Sequence, residues 1–186
     1  LGGHGAGVYR FSHLTFQEYL AALAVAARYD YVAYTLERAG DPWWREVILL
    51  LAGHLSTQSR ERTTRLVRVI ADRREEPEPY HNLVLAAECL RDVGQGRVAG
   101  DLLEEVQRRL RKDLEIDLNQ EIEHRRPQSG WQRARRWLSG ETAFDERAIV
   151  LEVIERRSVA IQALVQSGSG YWTMPYGEPE WVTIPT

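Results

Sequence analysis

The side chains of this 186-residue chain that could do chemistry are few and scattered. Its five histidines, His4, His13, His54, His81 and His124, include no two at metal-ligand spacing, and the single cysteine, Cys89, excludes a thiolate zinc cluster. No metal site is expected. There is no Gly-x-Ser-x-Gly elbow, and no serine, histidine and acid form a grouping that would mark a catalytic triad. The glycine-rich start, Gly2-Gly3-His4-Gly5-Ala6-Gly7, has neither the lysine nor the preceding apolar strand of a phosphate-binding loop. This chain alone is therefore not expected to hydrolyse NTP or to be an enzyme. Paired acids such as Glu75-Glu76 and Glu104-Glu105 lie in charged surroundings, where a solvated face is the ordinary explanation.

One basic stretch, Arg125 to Trp137, interleaves two tryptophans with arginines. Such a pattern can stack on bases and clamp phosphate. More often it makes cation–π and carboxylate contacts within a fold, or docks on another domain of the same chain. The formal net charge of −3 supplies no global attraction to polyphosphate. Neither nucleic acid nor an anionic membrane is an expected partner.

The elements that would position these residues read as helices. Thr15 and Glu18 form a capping box that starts a helix at Leu14 or Thr15, with Phe16, Tyr19, Leu20, Leu23 and Ala27 on its apolar face. Asp41-Pro42 signals a second start, for a helix that carries Trp43, Val47, Leu50 and Leu51 and ends near His54 to Ser56. A third runs from about Ser59 to Arg74 on Leu66, Val69 and Ile70, and ends at the proline-broken stretch Glu75 to Pro79. Leu83, Ala86, Ala87 and Leu90 define a fourth, stopped around Gly94 and Gly96. From Gly100 to Arg125 a charged helix carries Leu102, Leu103, Val106, Leu110, Leu114, Ile116 and Leu118. A last helix, Asp145 to Gln166, buries Ile149, Val153, Ile154, Ile161 and Leu164, before the flexible Ser167-Gly168-Ser169-Gly170. Strand-prone residues occur only at the ends, in Val8 to Phe11 and Trp181 to Ile184.

These elements predict an all-α fold, either a HEAT-like helical array or a compact bundle, with short extended segments at the two ends. No apolar stretch reaches the roughly 20 residues that a membrane-spanning helix needs. A lone cysteine within the apolar run Leu83 to Leu90 reads as a buried thiol in a reducing, cytoplasmic setting. The start at Leu1, among glycines, reads as a cut inside a longer protein.

The segment Tyr9-Arg10-Phe11-Ser12-His13-Leu14-Thr15-Phe16-Gln17-Glu18-Tyr19-Leu20-Ala21-Ala22 resembles the Phe-x-His-x-x-Phe-Gln-Glu-Tyr/Phe-x-Ala-Ala signature of NACHT proteins. This signalling NTPase class includes animal NLR receptors and many bacterial defence proteins. Asp41 to Gly53 and Asn82 to Leu90 are similar to later segments of bacterial members. The resemblance implies that residues 1–30 end a winged-helix region, that residues 31–166 form a HEAT-like helical domain, and that ADP or ATP binds in the parent protein but not to this stretch alone. It also implies that His13 reaches the β-phosphate of ADP in the inactive state. An imidazole just before a helix start can donate an N–H to phosphate oxygen. The alternative is that His13 caps the helix or packs beside Phe11 and Phe16.

At the other end, Glu180-Trp181-Val182-Thr183-Ile184-Pro185 resembles the opening of formylglycine-generating-enzyme-like domains, so residues 167–186 read as a linker and the start of such a domain. The expected function is a non-catalytic coupling segment of a NACHT NTPase, linking nucleotide state to a C-terminal sensor, with bacterial antiviral defence as its setting. Expected partners are the other domains of the same chain, with self-association on activation. The alternatives are a helical scaffold for a protein partner, and the linker arm of a formylglycine-generating-type enzyme or ligand-binding protein.

Overall fold

The computed structural model describes residues 2–3, 9–10, 14–94, 96–126 and 146–166. The fold is all-α, with eight α-helices among the described residues. Gly2–Gly3 and Tyr9–Arg10 pair as two-residue antiparallel strands, Gly2 opposite Arg10. Part of the expected extended segment at the amino-terminal end is thus present, while that at Trp181 to Ile184 lies outside the described residues.

Helix α1, Leu14–Ala26, begins where the sequence places it but buries a different face. Ala22, Val25 and Ala26 are buried, whereas Phe16 is 61%, Tyr19 43% and Leu20 44% exposed. The packed face is rotated by roughly a third of a turn from the expected one. Small residues decide this: a fully buried alanine lets α1 lie close along α3, Arg45–Gln58, which larger side chains would hold off.

Between them lies an unanticipated six-residue helix, α2, Tyr31–Leu36. Asp41 then caps a 3-10 turn, Pro42–Trp44, its carboxylate accepting from the Trp43 N–H at 3.0 Å. The cap and proline act as expected, but Trp43 is 79% exposed instead of facing the core. The core face of α3 is Val47, Ile48, Leu51, Ala52 and Leu55, and the helix continues past the expected end to Gln58. Ser59 caps α4, Arg60–Asp72, which buries Leu66, Val67 and Ile70. Helix α5, His81–Val93, stops at Gly94 with φ +80°, a conformation that favours glycine.

Helix α6, Leu102–Arg125, buries Leu102, Val106, Leu110, Leu114, Leu118 and Ile122, one residue in every four. Four residues overshoot a 3.6-residue turn by roughly 40°, so this stripe winds round the helix. Its first four members therefore face the main core, while Leu118 and Ile122 form a second cluster with Ile149, Val150 and Val153. Ile116 falls off the stripe and is exposed.

The single terminal helix expected from the sequence is two helices, α7, Glu146–Arg156, and α8, Ser158–Gln166, broken at Arg157. The break lets α7 face the end of α6 while Ala160, Ile161 and Ala163 of α8 join the main core against α5. Arg157 is held at the junction by Asp117, Nε to Oδ2 at 2.9 Å.

Candidate functional site

His13, the residue that the resemblance ties to a nucleotide, lies outside the described residues, and so do His4, most of the Arg125 to Trp137 stretch and the terminal segment 167–186. At the described end of the basic stretch, Arg125 pairs with Glu121 and Glu152 and Arg126 with Glu123, so these two cations are matched within the fold.

The three segments that carry the family resemblance come together. Helix α1, with Thr15 to Ala22, packs along α3, and Arg45 at the start of α3 pairs with Glu88 on α5. Burial works against the Arg45 charge, and its hydrogen bond to Glu88 together with the nearby Glu46 carboxylate outweighs that, leaving the guanidinium above its ordinary range. Glu46 is a second partner of Arg45 at 2.5 Å. Next to Glu88, Cys89 is fully buried, and burial pushes its thiol far up, which makes it an inert packing residue.

A second polar junction joins α5, α6 and α8. Tyr80 precedes α5 with φ 66°, a left-handed backbone that bulky residues rarely adopt. The Glu76 carboxylate accepts from its N–H at 3.1 Å, its hydroxyl bonds Asp117, and the Arg157 guanidinium lies 5.5 Å from its ring centre. Desolvation, then Asp117, holds the phenol well above its ordinary titration range. Asn82, fully buried, donates to the carbonyls of Arg73 at 3.0 Å and Glu75 at 2.9 Å, fastening the proline-broken loop to α5.

The remaining histidines divide by setting. His81 Nε2 sits 2.7 Å from the Ala39 carbonyl, a structural contact between α5 and the loop after α2. His124 is exposed in the last turn of α6. His54 lines a groove of about 470 Å³ where the C-terminal ends of α1 and α3 meet the start of α4. The groove also holds Gln58, Arg62 and Tyr29, which the sequence did not single out; His54, Gln58 and Arg62 recur at four-residue spacing, a periodicity that reads simply as a polar helix face. Among the described residues no group of three or more His, Cys, Asp or Glu side chains could hold a metal, and no helix is long and apolar enough to cross a membrane.

No family model, curated protein or solved structure matches this chain.

Proposed function

We propose that this chain is the coupling segment of a NACHT-type NTPase, in which residues 1–30 close the winged-helix module and residues 31–166 form the helical domain beyond it. The supporting observation is the seating of α1. This helix carries most of the family-like signature, and its fully buried Ala22 packs it against α3, which Arg45 ties in turn to Glu88 on α5. Any shift of residues before Leu14 would therefore move α1 as a lever on the whole array, because packed helices shift as rigid bodies between discrete arrangements. In this reading His13 helps hold ADP in the off state, the helices relay occupancy of a C-terminal sensor, and the protein works in the cytoplasm, self-associating once activated. Relay of this kind requires two states that bind ADP and sensed ligand differently. The test is His13→Ala in the intact protein: ADP retention falls or basal signalling rises, and unchanged values for both refute the role.

A second reading is favoured by one observation. Leu14, Phe16, Tyr19 and Leu20 place four large side chains at the surface of one helix, each more than two-fifths exposed. A helical scaffold that takes a protein partner on α1 would use such a face. In that case His13→Ala changes folding stability alone, while Leu20→Glu abolishes partner capture.

A further inference from the structure

The groove at the C-terminal ends of α1 and α3 carries a chemistry of its own. Its lining includes Arg28, Arg62 and His54 and, among the described residues, no carboxylate. Arg28 is matched by Asp30, with two hydrogen bonds of 2.8 and 2.9 Å. Arg62 differs. Its Nη2 donates to the Ala26 carbonyl at 2.5 Å, its guanidinium carbon lies 4.6 Å from the Tyr31 ring centre, and the Tyr31 hydroxyl donates to the Arg62 carbonyl at 3.3 Å. These contacts hold the guanidinium in one place but use only one of its five N–H groups, and among the described residues no carboxylate pairs with it.

Beside it, the Gln58 amide nitrogen is 2.9 Å from His54 Nε2. With the amide as donor, the ring nitrogen accepts, and the second amide N–H is left for another acceptor. At the rim stands Tyr29, a residue 97% exposed, and Leu23 and Ala26 supply apolar wall. The groove is open to solvent and holds about 470 Å³.

We infer that this groove binds a small organic oxyanion joined to a planar ring, an aryl phosphate or an aryl carboxylate, with the anion on Arg62 and Gln58 and the ring against Tyr29. A fixed guanidinium with spare donors is suited to oxyanions, because its fork matches their geometry and little side-chain entropy remains to be lost. The inference does not rest on the nucleotide reading, since it uses none of residues 1–13. The groove lies at the C-terminal end of α1, which is about 20 Å long at 1.5 Å for each of its 13 residues.

The experiment is titration of the full 186-residue chain with phenyl phosphate, benzoate and benzylamine, followed by calorimetry and by amide chemical shifts of Tyr29, Gln58 and Arg62. The expected result is saturable binding of at least one anion and none of benzylamine, weakened about tenfold or more in Arg62→Gln by loss of a charged hydrogen bond. The stronger of the two anions identifies phosphate or carboxylate as the preferred head group. Gln58→Glu, at an exposed position that keeps the fold, sets a carboxylate in the groove and should weaken the anion equally. Failure of both anions to bind, equal binding of benzylamine, or undiminished anion binding by Arg62→Gln or Gln58→Glu would overturn the inference.

Discussion

Arg45 at the start of α3 and Glu88 in the middle of α5 are 43 residues apart in sequence and form an ion pair in the fold. Glu88 has only 14% of its side chain exposed, while Arg45 keeps 42% and a second carboxylate, Glu46. The two partners are thus unequal: losing Arg45 strands a nearly buried charge, whereas losing Glu88 leaves Arg45 a partner in water. Arg45→Ala should therefore cost more than Glu88→Gln, roughly 2 against 1 kcal/mol, with a coupling of about 1 kcal/mol in the double-mutant cycle. Urea unfolding of the four proteins measures this, and equal single-mutant costs would contradict the burial argument.

Asn82 is the polar residue on which the loop before α5 hangs. Its amide makes two donations to main-chain carbonyls, of Arg73 and Glu75, inside the core. Asn82→Ala should cost about 2–3 kcal/mol by leaving buried carbonyls unpaired. Asn82→Asp should cost more at neutral pH, since a carboxylate cannot donate to either carbonyl. Denaturant midpoints at pH 7 check both, and an Asp variant more stable than the Ala variant would refute the assignment.

The winding stripe on α6 makes two leucine-class deletions behave differently. Leu110, fully buried in the main core, should lose about 3 kcal/mol of global stability as Leu110→Ala. Ile122 packs instead with Ile149, Val150 and Val153 of α7. Ile122→Ala should raise hydrogen exchange of the α7 amides while leaving those of α3 protected, because the loss is confined to the second cluster. Uniform loss of protection would show that the two clusters unfold as one.

The acid limit of that second cluster follows from Glu152. Hydrogen bonds from Arg125 and then Arg156 lower its carboxyl from the ordinary 4.5 to about 2. A depressed folded-state value means that the ionised form favours the fold: the contribution is complete above the ordinary value and is lost as pH falls from 4.5 towards 2. Exchange protection of α7 should therefore decline across that interval, and added salt should weaken it at neutral pH. Glu152→Gln should remove the step; a decline that persists in the variant would place its origin elsewhere.

Much of the array was legible because each helix carries its own punctuation. Asp41-Pro42, Ser59 and Gly94 mark ends that the fold keeps, and the spacing of Leu66 with Ile70 or Leu83 with Leu90 places those residues inside. The face of α1 was not legible, since amphipathic counting favours large side chains while close helix packing selected Ala22 and Ala26. Nor was the break at Arg157, which no glycine or proline announces and which rests on Asp117, 40 residues earlier. The groove escaped for the same reason: Arg62 matters through Ala26 and Tyr31, neighbours that only the fold supplies.

The coupling account stands most directly on bound nucleotide in the intact protein that contains this chain. It should be purified without added nucleotide, as wild type and as His13→Ala, and its ADP content and release rate measured by chromatography after denaturation and by exchange with labelled ADP. The account predicts ADP held by the wild type and released about tenfold faster from the variant, the loss of one charge-assisted hydrogen bond. ADP absent from the wild type, or held equally by both proteins, would contradict it.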